Sequence, residues 1–98
     1  MIRSFRDKWL ENFYIRDKRD RRIPPELQYR LFRKLQILDD AMSQRDLASP
    51  PSNQFEALRG RMAGKYSIRV NIQWRLIFKW EDTNASAEDV YLDNHSYR

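Results

Sequence analysis

Apolar residues recur every three or four positions through Leu27, Leu31, Leu35, Leu38 and Met42, and the proline pairs Pro24-Pro25 and Pro50-Pro51 bracket that run. Such spacing turns one side of a helix toward a core, so it predicts a helix from about Pro25 to Gln44, with Pro25 suited to the first turn. A shorter stripe of Trp9, Leu10, Phe13 and Tyr14 predicts an earlier helix from about Arg6 to Ile15. The alternation Ile2-Arg3-Ser4-Phe5 ahead of it reads as a terminal strand. After Pro51 the period becomes two: Ile68, Val70 and Ile72, then Trp74, Leu76, Phe78 and Trp80, then Val90 and Leu92 alternate with polar neighbours. Strands are predicted over Ser67 to Ile72, Trp74 to Trp80 and Val90 to His95. Ile72-Gln73 leaves room only for a tight antiparallel hairpin, although no glycine marks its turn. The predicted order is β-α-α-β-β-β. Its simplest architecture is α+β, two N-terminal helices packed on one face of an antiparallel sheet.

The chain has 98 residues, which is one domain's worth, so residues 1–98 are read as a single domain with one modest core. A charged content of 34% would suit a disordered chain, but 13% aromatics supply apolar faces that such chains lack. The absence of cysteine excludes a disulfide framework, a CxxC zinc site and a thiol nucleophile. No apolar run approaches the ~20 residues of a membrane span, and the N-terminus has no signal-peptide core, so a cytoplasmic protein without a membrane partner is expected. With one histidine and no EF-hand or HExxH spacing, no metal is expected. Gly60 and Gly64 form no phosphate loop or dinucleotide fingerprint, so no cofactor is expected either.

The alternation that sends the apolar residues to the helices sends Arg69, Asn71, Arg75 and Lys79 to the other face, together with Tyr91, Asp93 and His95. Six basic residues and no acid lie between Arg59 and Trp80, within a chain of net charge +5. Guanidinium groups pair with phosphate oxygens in forked geometry and remain charged, so this face suits an RNA backbone. Arg59, Arg61, Arg69, Asn71, Lys79 and Tyr91 are the candidate RNA-binding residues. The same pattern also describes an ordinary solvated sheet face, and alternation alone does not separate the two. The pair Asp93 and His95 adds chemistry. Two residues apart on a strand, their side chains share a side at roughly 6.5–7 Å. Cleaving RNA needs a base for the 2′-hydroxyl proton, an acid for the leaving 5′-oxygen and cations for the charge on phosphorus. Asp, His and Arg can fill those roles, with either member of the pair as base.

The opening MIRSF, Glu56-Ala57-Leu58-Arg59-Gly60, Tyr66-Ser67-Ile68-Arg69-Val70-Asn71, Gln73-Trp74-Arg75-Leu76-Ile77-Phe78 and the closing Asp93-Asn94-His95 together resemble the HigB toxins, the plasmid-killer branch of the RelE/ParE superfamily of toxin-antitoxin proteins. The resemblance implies a microbial-ribonuclease-like fold that cuts messenger RNA on the ribosome. It also implies a HigA-like helix-turn-helix antitoxin as partner, with operator DNA reached only through that antitoxin. Asp93 and His95 match the family's terminal acidic and histidine positions, Arg75 its Trp-Arg arginine, and Arg59 the basic residue before the glycine. Asn71 stands where some relatives have arginine. Glu56 stands where some have a catalytic histidine, which makes Asp93, His95, Arg75 and Glu56 the implied catalytic set. Asn94 replaces the tyrosine usual between the terminal Asp and His, and Ser96-Tyr97-Arg98 extends past the common end. Two alternatives stay open: a ParE-like toxin that blocks DNA gyrase without catalysis, and an RNA-binding module without activity.

Overall fold

The protein, seen as a computed structural model, is described over residues 1–94, so His95 lies outside the described residues. Three helices precede four strands: α1 (Lys8–Arg16), α2 (Gln28–Asp40), α3 (Gln44–Leu47), then β1 (Glu56–Ala57), β2 (Lys65–Arg69), β3 (Trp74–Glu81) and β4 (Ser86–Asn94). The strands form one antiparallel sheet in the order β1-β2-β3-β4. Leu10 and Phe13 of α1 and Leu31, Leu35 and Leu38 of α2 join Ile68, Leu76, Phe78, Val90 and Leu92 of the sheet in one buried cluster. The α+β class and the helix-covered face expected from periodicity are therefore present.

The differences lie at the ends of elements. The predicted N-terminal strand is reduced to two isolated parallel bridges, Ile2 with Ala87 and Phe5 with Val90. These run along β4 with Arg3 N–H donating to Ala87 O at 2.8 Å and Arg6 N–H to Val90 O at 2.8 Å. Below the bridges, Asp39 of α2 accepts Ile2 N–H on one carboxylate oxygen and Tyr14 O–H on the other, both at 2.8 Å. One carboxylate thus joins the N-terminus, α1 and α2. Burial pushes the Tyr14 hydroxyl's pKa well above its ordinary value, and the bond to Asp39 adds to the rise. Asp39→Ala is expected to lower stability by about 2 kcal/mol, since two hydrogen bonds to a charged acceptor are lost. Urea denaturation measures this, and an unchanged midpoint would mean the carboxylate holds nothing.

The single helix predicted from Pro25 to Gln44 is divided. A 3-10 turn over Pro25–Leu27 leads into α2, and Ala41, extended at φ −63° and ψ 133°, ends it before α3. Met42 consequently leaves the apolar stripe and is 75% exposed. Beyond α3, the fully buried Asn53 gathers its surroundings: its Nδ2 donates to Leu47 O at 2.9 Å and Ser49 O at 3.1 Å, and its Oδ1 accepts the Lys34 ammonium.

The β2–β3 hairpin also differs from its prediction. The ladder stops at Arg69 opposite Arg75, and Val70 to Gln73 form the turn, which leaves Ile72 80% exposed instead of in the core. Asn71 explains why no glycine is needed. Its Oδ1 accepts the N–H groups of Gln73 and Trp74, both at 2.8 Å, replacing a backbone turn with a side-chain one. The two-residue strand β1 was not predicted, because a pair as short as Glu56-Ala57 carries no readable alternation.

Candidate RNA-binding and catalytic face

Residues opposite one another on adjacent strands point to the same side of a sheet. The register pairs Arg69 with Arg75 and Arg75 with Asp93, so three of the candidates form one row across β2, β3 and β4, on the side away from the helices. Arg75 Nε donates to Asp93 Oδ2 at 3.1 Å, with 18% and 34% of the two side chains exposed. That bond uses one of the five guanidinium N–H donors and one carboxylate oxygen. Arg75 is thereby oriented, and its terminal nitrogens have no hydrogen bond among the described residues.

A parallel row runs Glu56, Ser67, Ile77, Tyr91. Glu56 thus shares the face but sits on β1, three strands from β4, or about 14 Å along a flat sheet. It is exposed and does not join the Arg75–Asp93 pair. The centre of this row is dry: Ser67 is 2% and Ile77 1% exposed. The face is consequently not a uniformly solvated surface, and no residue pattern announced a buried Ile77 on it. Lys65, Lys79 and Glu88 form the next row.

Tyr91 is on the expected face, but its ring is already covered. The Arg6 guanidinium carbon lies 4.0 Å from the ring centroid and Lys65 Nζ lies 5.6 Å from it. Arg6 is held there by a forked pair with Asp89, Nε to Oδ1 at 3.2 Å and Nη2 to Oδ2 at 2.6 Å. Asp89 occupies a bulge of β4, with φ 57° and a register shift opposite Ile77 and Lys79. The bond from Arg6 holds the Asp89 carboxyl below its ordinary pKa, and burial raises that of Tyr91, which keeps the phenol neutral at physiological pH. Arg6 was not foreseen as part of this face. It comes from 83 residues away in sequence, and the N-terminal segment's bond to Val90 on β4 together with the Asp89 bulge places it here.

Asn71 is a correction. It stands in the hairpin turn and not on a strand, and its carbonyl oxygen is committed to the turn's own N–H groups, so it does not continue the Arg69–Arg75 row. Arg59 and Arg61 are exposed around the 3-10 turn Gly60–Met62 beyond β1, where Gly60 takes φ 64°. Lys79 is exposed on β3. Asn94 is paired with Trp74, on the other side of the strand from Asp93, and accepts Gln73 Nε2 at 3.2 Å. Among the described residues no three His, Cys, Asp or Glu side chains cluster closely enough to hold a metal ion. No described helix is long and apolar enough to cross a membrane.

Comparison with known proteins gives the family of the chain. A family model described as the RelE-like toxin of type II toxin-antitoxin system HigB matches residues 3–95. The chain is 54% identical over 97 residues to a protein of Vibrio cholerae named Toxin HigB-1, covering 99% of this chain and 100% of that one. It is 43% identical over 93 residues to an uncharacterised protein of Haemophilus influenzae, covering 95% and 90% of the two chains. A solved chain of the RelBE2 toxin-antitoxin complex from Mycobacterium tuberculosis superimposes with a TM-score of 0.48 at 17% identity, over 95% of this chain and 94% of that one.

Proposed function

Because this chain belongs to the HigB family of RelE-like toxins of type II toxin-antitoxin systems, we propose that it is a ribosome-dependent endoribonuclease that cleaves messenger RNA. In this reading residues 1–98 form one toxin domain that acts in the cytoplasm. Its partner is an antitoxin, of the HigA-like helix-turn-helix kind, through which alone the pair reaches operator DNA.

The observation that carries the reading is the row Arg69, Arg75, Asp93, with Arg75 fixed on Asp93 at 3.1 Å. Oriented arginines beside a carboxylate meet two demands of transesterification, because the carboxylate takes part in proton transfer while the guanidinium groups hold charge on the phosphoryl oxygens. The 2′-oxygen attacks the adjacent phosphorus as its proton passes to a base. The bond from phosphorus to the 5′-oxygen breaks, and that oxygen takes a proton from an acid. Asp93 and His95 supply base and acid as a pair. Arg75 stabilises the pentacoordinate charge, Arg69 and Lys79 hold flanking backbone, and Arg59 and Arg61 add attraction from the turn beyond β1. Glu56, on the far strand, is the candidate for a supporting proton-transfer role. Tyr91 stacks on a base only if Arg6 is displaced from its ring.

The test is the chemistry of the ends. Cleavage on preassembled ribosome–mRNA complexes is expected to leave a 2′,3′-cyclic phosphate or 3′-phosphate upstream and a 5′-hydroxyl downstream. Ends bearing 5′-phosphate would refute the mechanism. Inhibition of gyrase supercoiling without any mRNA cleavage would favour the ParE-like alternative.

A further inference from the structure

Beside the catalytic row, a cleft of about 420 Å³ opens between the first turns of α2 and the β2–β3 hairpin. Arg30 and Lys34 line it from α2, Ser52 and Gln54 from the segment after α3, and Arg69 and Asn71 from the hairpin, with no acidic side chain among the described lining residues. Arg30 and Lys34 are one helical turn apart and so stand on one side of α2. Among the described residues none of the three cations forms a salt bridge. The hydrogen-bond partner of Lys34 is the neutral amide oxygen of Asn53, which is itself fully buried and anchored on two backbone carbonyls. Lys34 is therefore held by a hydrogen-bonded neutral partner and has no counter-charge among the described residues.

Burial lowers the pKa of the Lys34 ammonium, and the charge of Arg30 lowers it further. A partly buried ammonium beside two further cations is destabilised until an anion enters, and an anion at Lys34 would interact more strongly than one on an open surface. Arg69 belongs both to this cleft and to the row that ends at Asp93, two strand spacings or about 10 Å away. A polyanion that follows the row to Arg69 and turns around the hairpin edge of the sheet would thus reach the cleft.

We propose that the cleft formed by Arg30, Lys34 and Arg69 is a phosphate-binding subsite of the toxin, which takes a backbone phosphate of the same mRNA strand next to the bond facing Arg75. It rests on the RNA-cleaving reading above and deepens it, because it assigns the substrate's path beyond the reacting phosphate. Its ligand is a phosphodiester, and its contribution is to position the strand, not to transfer protons.

The experiment uses the full chain and a short single-stranded RNA made uncleavable by 2′-O-methylation, with binding measured over a range of salt. Arg30→Gln and Lys34→Gln are each expected to weaken binding about tenfold at low salt, the scale of one charge-assisted hydrogen bond. Each should also make the dependence of log K on log salt shallower by about 0.7 for the phosphate no longer neutralised. Lys34 is tied to Asn53 and its loss can disturb the fold, so Arg30→Gln and Arg30→Glu, at an exposed position, provide the same reading independently. Parent-like affinity and slope in the Arg30 variants would overturn the proposal. So would unchanged oligonucleotide binding with weakened binding to empty ribosomes, because the phosphate would then be ribosomal. If these variants lose oligonucleotide binding while the parent cuts no mRNA, the subsite stands and the ribonuclease reading falls.

Discussion

Replacing Arg75 with alanine is expected to abolish growth inhibition, with mRNA cleavage on the ribosome falling about 10²–10³-fold, the usual cost of removing one preorganised donor to a developing oxyanion. His95→Ala is expected to cost roughly 10²–10⁴-fold through loss of a proton-transfer group. Folding should survive the Arg75 change. The side chain lies on the face away from the core, and Asp93, 34% exposed, can be rehydrated when its partner is gone. The stability cost of breaking such a part-buried, charge-assisted bond is about 1–3 kcal/mol, which a folded domain of about 5–15 kcal/mol tolerates. Arg75→Lys separates charge from geometry, because lysine retains the positive charge but cannot hold Asp93 through Nε while presenting a planar fork to phosphate. A partial loss in Arg75→Lys beside a full loss in Arg75→Ala is the expected order. Single-turnover cleavage and ribosome binding should be measured together. Arg75→Ala and His95→Ala proteins that fold, bind ribosomes and cut at the parent rate would refute the catalytic assignment.

Leu35→Ala is expected to remove toxicity by another route. Leu35 is fully buried at the centre of the α2 stripe, within the cluster that joins both long helices to the sheet. Truncation there forfeits the transfer energy of the side chain and leaves a cavity, together about 2–5 kcal/mol. Domains of this size commonly hold only about 5–15 kcal/mol in total, so the loss is a large fraction of what keeps the chain folded. The melting temperature should fall by at least about 8 °C. The folded fraction that remains should cleave at the parent rate per molecule, in contrast to Arg75→Ala, which stays folded and does not cleave. A Leu35→Ala protein with unchanged melting behaviour would mean that α2 does not close the core.

Arg69, Arg75 and Asp93 could be placed on one face from alternation alone, because their strands are long enough for a period of two to be read and their apolar partners are unambiguous. Asn71 could not. Alternation extended the strand through it, whereas its side chain bonds two N–H groups three residues ahead at most and turns the chain there. Met42 was misplaced for a related reason: the three-and-four spacing continued past the point where Ala41 leaves the helical conformation. Periodicity reports which residues are apolar and how far apart they are. It does not report where a competing local hydrogen bond or a backbone reversal ends the element.

What the sequence determined by itself is the set of strong, local and repeated signals: two helical stripes, the alternating strands, the α+β class, a cationic face bearing Asp93, and the motifs that resemble HigB toxins. These rest on side-chain direction, which follows from the backbone period within each element. Only the tertiary structure decided the contacts between distant segments. The N-terminal residues run parallel along β4, Arg6 reaches Asp89 and covers Tyr91, Ile77 is buried on the face expected to be open, and Lys34 meets Asn53 beside a cleft that Arg69 completes. The contact of Arg6 depends on a β4 bulge that redirects the Asp89 carboxylate, and the others depend on how helices, loops and strands come together. Such features arise when whole elements are packed together and leave no periodic trace along the chain.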